Sequence, residues 1–103
     1  MKLIGLIGGL SWESSAAYYA LMNREAQRRL GGVHSARTLM YSLDFGEVEK
    51  HQAAGDWDAA IAMVVAAARA VDEARADLIV ICSNTMSIAS EAVAAACRAP
   101  AAG

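Results

Sequence analysis

The stretch Leu78-Ile79-Val80-Ile81-Cys82-Ser83-Asn84-Thr85-Met86 constrains the fold more than any other part of the chain. An apolar run rich in β-branched residues stops at a cysteine, and three small polar residues follow before a new helical pattern begins. That order puts a thiol at the carboxyl end of a buried strand, against the start of a helix. In an open α/β sheet, ligands bind outside the carboxyl ends of the strands. Cys82 is therefore a candidate nucleophile or base, and something must face it across a pocket.

The remaining pattern supports an α/β sheet. Lys2 to Ile7 reads as a first buried strand, and Gly8-Gly9-Leu10-Ser11 as a tight connection. Ser11 is a good N-cap and Glu13 adds negative charge to the first helical turn. From Trp12 to Leu30, Tyr18, Leu21, Met22, Ala26 and Leu30 recur at helical spacing until Gly31-Gly32 ends the helix. Thr38 to Tyr41 is a second strand, and a short helix covers Gly46 to Ala53. Asp56 caps a longer helix reaching about Arg75, with Ile61, Val64, Val65, Ala68 and Val71 as one stripe. Leu78 to Ile81 is the third strand, followed by a last helix from about Asn84 to Cys97.

Strands separated by helices imply right-handed βαβ units, hence a three-layer α-β-α domain around a short parallel sheet. After Pro100 a further strand is expected to begin. Residues 1–103 thus read as one α/β domain that is incomplete, since doubly wound sheets are usually wider.

The chain's bulk properties exclude several function classes. A formal charge of −2 gives no electrostatic case for nucleic acid. No apolar segment reaches the ~18 residues that span a bilayer. The opening Met1-Lys2-Leu3-Ile4 superficially resembles a signal peptide, but its apolar part is short and runs straight into a helix. A cytoplasmic protein without membrane contact is expected.

Cys82 and Cys97 bracket one helix, so they lie on the order of 20 Å apart at 1.5 Å per residue. A disulfide needs Cα atoms within about 7 Å, so both are expected as free thiols that cannot act on one atom. Cys97, among alanines at a helix end, reads as structural. His34 and His51 lack metal-ligand spacing with each other or with either cysteine, so no metal site is expected. Glu47, Glu49 and Lys50 read as a solvated helix face, and Trp12 and Trp57 as covers over helix starts.

Two segments can carry chemistry. In Gly8-Gly9-Leu10-Ser11, glycines let backbone N–H groups approach a ligand, and the following helix N-terminus favours an anion. Neither G-x-G-x-x-G nor G-x-x-x-x-G-K-[ST] is present, so a small carboxylate fits better than a nucleotide. A plain strand-to-helix turn explains the same residues. In Cys82-Ser83-Asn84-Thr85, a helix start lowers a thiol pKa, and hydroxyl and amide groups can hold a polar substrate. A buried structural cysteine capped by Asn84 is the alternative.

Several motifs together resemble the aspartate/glutamate racemase family: LIGLIGGLSWESSAAYY, RLGGVHSARTLMYSLDF, AAGDWD and IVICSNTM, in the family's order from Lys2 to about Pro100. The resemblance implies two similar α/β halves with the active site between them, and neither pyridoxal phosphate nor metal. One cysteine from each half flanks the substrate α-carbon, one removing the α-proton and the other delivering a proton to the opposite face. By position, Cys82 matches the first-half catalytic cysteine. Ser83, Asn84 and Thr85 match residues that hold the substrate's polar groups. Leu10 and Gln52 fall at positions resembling substrate contacts, with Gly8, Gly9 and Ser11 shaping the pocket. Cys97 matches no catalytic position.

The sequence also departs from the family pattern. Many close members have threonine where Ser83 stands and histidine where Ser87 stands. The family continues past the proline into a strand and a second half, with a second cysteine. The reading is then the N-terminal half of a cofactor-independent racemase of aspartate, glutamate or a relative, inactive alone. A homo-oligomer is expected, including the variant in which two Cys82 thiols pair across one cleft. The alternatives are a non-catalytic domain binding small carboxylates, or a thiol enzyme of the hydantoin racemase or maleate isomerase type.

Overall fold

In the computed structural model, which describes all of residues 1–103, the elements alternate as the sequence indicates. They are β1 (Leu3–Gly8), α1 (Trp12–Leu30), β2 (Arg37–Ser42), α2 (Phe45–Ala53) and α3 (Trp57–Glu73). There follow β3 (Leu78–Ile81), a 3-10 turn (Thr85–Ala89), α4 (Ser90–Ala96) and β4 (Ala101–Ala102). Side-chain caps mark the helix starts: Asp44 accepts from the Gly46 N–H at 3.0 Å, and Asp56 from the Ala59 N–H at 3.1 Å. The last helix differs from expectation. Its first turn is 3-10, α-helix begins only at Ser90, and the cap is the Ser83 hydroxyl, which accepts from the Met86 N–H at 3.1 Å. Asn84 makes no side-chain cap.

The four strands are parallel, in the order β2-β1-β3-β4. The chain moves one way from β1 to β2, and the other way from β2 over β1 to β3 and on to β4. Right-handed crossovers then put α1 alone on one face and the later helices on the opposite face. The core follows this division. Ile7, Ile79 and Ile81 pack with Val64, Ala67, Ala68 and Val71 of α3 and with Met86 and Val93. Alanines at Ala60, Ala67 and Ala68 are fully or almost fully buried in that layer. The expected stripe on α3 holds, with Val64, Ala68 and Val71 buried and Ile61 and Val65 half-buried.

The α1 stripe does not pack in the same way. Tyr18, Met22 and Ala26 are half-buried and Leu21 and Leu30 are exposed, beside an apolar groove of about 610 Å³. Trp12 is 70% exposed, so it covers little, and Trp57 is 39% exposed. No helix is long and apolar enough to cross a membrane.

The strand expected after Pro100 is present as β4, and its placement depends on one carboxylate. Asp72, at the end of α3, accepts from the Arg98 and Ala99 N–H groups, each at 3.1 Å. Those two bonds hold its carboxyl below the usual carboxylate range. They aim the Pro100 carbonyl at the Ile79 N–H, 2.9 Å away, and start the β3–β4 ladder. Because the folded-state pKa is depressed, this contribution is present above the ordinary Asp pKa and is lost as pH falls through the lowered value. Asp72→Ala is expected to speed amide hydrogen exchange at Arg98, Ala99 and Ala101 while leaving β1 unchanged. Unchanged exchange at all three would remove Asp72 from this role.

Candidate active site

The strand order creates a crevice. The connection leaving β1 and the one leaving β3 diverge between neighbouring strands, and ligand sites in open α/β sheets form at such points. Ile7 and Ile81 are register partners, so the Gly8–Ser11 loop and the Cys82–Asn84 loop start side by side. The Cys82 N–H donates to the Ile7 carbonyl at 3.0 Å, and the Leu43 N–H donates to the Gly8 carbonyl at 2.8 Å. The end of β1 is thereby tied to the chain leaving both neighbouring strands.

Gly9 carries this geometry. Its φ is +77°, and a Cβ there would lie 1.9 Å from the Leu43 carbonyl oxygen. Its N–H donates to the Ser15 hydroxyl at 2.8 Å. Ser11 caps α1 as expected, accepting from the Ser14 N–H at 3.4 Å, but at φ 147° and ψ 132°. A non-glycine residue there is strained, and such strain persists only where the surroundings over-determine it. Leu10 is 5% exposed, within the hydrophobic core. What Leu10 offers the crevice is its backbone. The N–H groups of Leu10, Ser11, Ser83 and Asn84 make no hydrogen bond within the chain, leaving four donors on two adjacent loops.

The Cys82 side chain is fully buried, and its Sγ has one polar neighbour, the Val80 carbonyl oxygen at 3.9 Å. Burial pushes the thiol up to about 11. This reverses the expectation of a helix start lowering it. The short 3-10 turn brings little dipole, the Met86 N–H is occupied by Ser83, and desolvation of a thiolate decides the outcome. Cys97 is a free thiol as well, raised by burial and by the Asp72 charge. It ends α4, a helix running back from the site edge, and so lies toward the opposite edge from Cys82.

Other expected site residues gather around Cys82. Gln52 of α2 donates through Nε2 to the Met86 sulfur at 3.1 Å, which ties it to the Cys82 loop. Ser83 is buried, with its oxygen engaged as the cap and its proton still free to donate. Asn84 and Thr85 are exposed. Ser87 donates to the Asn84 carbonyl at 2.6 Å, a local backbone bond. No group of three or more His, Cys, Asp or Glu side chains could hold a metal ion. The α1 groove, lined by Met1, Ile4 and Leu30, lies at the strands' amino ends, away from Cys82. Sequence reasoning missed Ser15, whose one signal is its position four residues after Ser11, one helical turn on.

Comparison with known proteins gives this arrangement a family. The family model for Asp/Glu/hydantoin racemase matches residues 7–103. The chain belongs to the Asp/Glu/hydantoin racemase family. A solved structure from Yersinia pestis, described as a candidate Asp/Glu racemase, is 46% identical with a TM-score of 0.94, over 98% of this chain and 44% of that one. An aspartate racemase homologue from Pyrococcus horikoshii OT3 is 28% identical with a TM-score of 0.84, over 100% of this chain and 45% of that one. This racemase-family chain thus spans less than half the length of those structures.

Proposed function

We propose that this chain forms one wall of a cofactor-independent amino-acid racemase site, with aspartate or glutamate as substrate and Cys82 as one of two opposed proton-transfer groups. The observation that carries the reading is the placement of a thiol and four unengaged N–H groups on two loops at the sheet's switch point. In this reading the Leu10 and Ser11 N–H groups receive the substrate α-carboxylate. That concentrates donors where charge grows as the α-proton leaves. Ser83, Asn84, Thr85 and Gln52 hold the remaining polar groups.

Proton transfer at carbon needs an acid on one face and a base on the other. A buried thiol raised to about 11 is protonated at neutral pH, so the resting Cys82 is set as the donor. It becomes the base for the reverse direction only when a substrate or a facing protein surface supplies donors to its thiolate. Cys97 cannot be the facing group, because it lies toward the other sheet edge. The second group must therefore come from another α/β half or another copy.

Incubation of the 103-residue chain with L-aspartate and with L-glutamate, followed by chiral chromatography, is expected to give no D-enantiomer above background. Calorimetric titration is expected to show saturable binding of one of the two. Robust D-enantiomer formation by a monomer would overturn the two-wall reading.

A further inference from the structure

Ser15 is the one buried residue of α1, although that helix leaves Leu21 and Leu30 exposed. Burying a serine in place of an apolar side chain needs hydrogen bonds that satisfy it. The Ser15 hydroxyl accepts from the Gly9 N–H at 2.8 Å and donates to the Ser11 carbonyl at 3.3 Å. The Ser15 N–H donates to the same carbonyl, also at 3.3 Å. One side chain therefore holds both flanks of Leu10.

The consequences for the loop are specific. The Gly9 N–H is consumed, while the next two, on Leu10 and Ser11, remain without partners in the chain. The Ser11 carbonyl, gripped by two donors from Ser15, fixes a residue whose φ of 147° it would otherwise leave. We infer that Ser15 is a positioning residue: its hydroxyl aims the Leu10 and Ser11 N–H groups into the crevice as a preformed cradle for the substrate α-carboxylate. The inference rests on the carboxylate reading proposed above. It is independent of the thiol and of any second wall. A cradle built this way costs no reorganisation when the anion arrives.

The test is amide-resolved NMR on the parent chain, Ser15→Ala and Ser15→Thr, each titrated with L-aspartate and L-glutamate. The parent is expected to show saturable shifts at the Leu10 and Ser11 amides and little at Gly9. Ser15→Ala is expected to keep the native spectrum elsewhere, expose the Gly9 amide to faster exchange and weaken binding about tenfold or more. Ser15→Thr, which keeps the hydroxyl, is expected to stay within about threefold of the parent. Binding by folded Ser15→Ala within about twofold of the parent overturns the inference. So does equal damage by Thr and Ala, because the hydroxyl is then irrelevant. Loss of native amide dispersion in Ser15→Ala assigns the serine to folding alone and overturns it too. If the parent shows no shift with either amino acid, the carboxylate reading itself falls and takes the inference with it. In that case fast Gly9 exchange in Ser15→Ala marks a loop-stabilising serine.

Discussion

Gly9→Ala is expected to destabilise the chain by about 3 kcal/mol or more. Two costs add. At φ +77° an L-residue pays for the left-handed conformation, and its Cβ would sit 1.9 Å from the Leu43 carbonyl oxygen. That neighbour cannot yield cheaply, since the close atoms of Leu43 are all backbone and its N–H is itself bonded to Gly8. Gly55→Ala separates the two costs, because Gly55 has φ +73° with nothing within 4 Å of a Cβ. That control is expected to lose only about 1 kcal/mol in a urea titration. A Gly9→Ala loss no greater than the control's would mean that the β1 and β2 loops are not in contact. The substitution bears on the site as well, because Gly9 leads directly into the Leu10 and Ser11 donors.

The second large effect concerns the reactivity of Cys82. A thiol raised from its usual 9.0 to about 11 holds roughly 100-fold less thiolate near pH 8, and the thiolate is the species that alkylates. Iodoacetamide labelling of Cys82, followed by mass spectrometry to separate it from Cys97, is expected to be about 100-fold slower than in the urea-unfolded chain. The labelling rate is expected to keep rising about tenfold per pH unit beyond pH 9. The linked effect on stability has a definite sign. The folded-state pKa lies above the unfolded one, so the stabilising preference for neutral thiol is fully present below about pH 9 and is lost as pH rises toward 11. A labelling plateau near pH 8 would mean a thiolate available at rest, and Cys82 could no longer be set as the resting donor.

Much of the fold was legible in the sequence because its signals are local. The run Leu78 to Ile81 is short, apolar and β-branched, and it is β3 with the thiol at its carboxyl end. Asp56 and Ser11 cap the helices they were expected to cap. Gln52 is a substrate contact by resemblance alone, and the structure shows its side chain bonded to the Met86 sulfur. What escaped depends on neighbours that are remote in sequence. The stripe Tyr18, Leu21, Met22, Ala26 and Leu30 has the spacing of a core face, yet the crossovers leave α1 alone on its side of the sheet. The Cys82 pKa turned on burial, which periodicity does not report, rather than on the helix start beside it. Leu10 was expected as a substrate contact, and its side chain belongs to the core while its N–H faces no partner. Ser15 looked like one more small residue in an alanine-rich helix.

The two faces of the sheet are covered unequally, and the loop that enters α1 joins them. The sheet packs against α3 and α4 on one face, while α1, with one buried residue in 19, lies on the other and is entered through the Gly9–Ser11 loop. The unengaged Leu10 and Ser11 N–H groups sit in that loop, which is fastened to the sheet through Gly8 and to α1 through Ser15. In the proposed reading, a substrate carboxylate therefore meets donors whose positions the sheet and the helix fix jointly before it arrives.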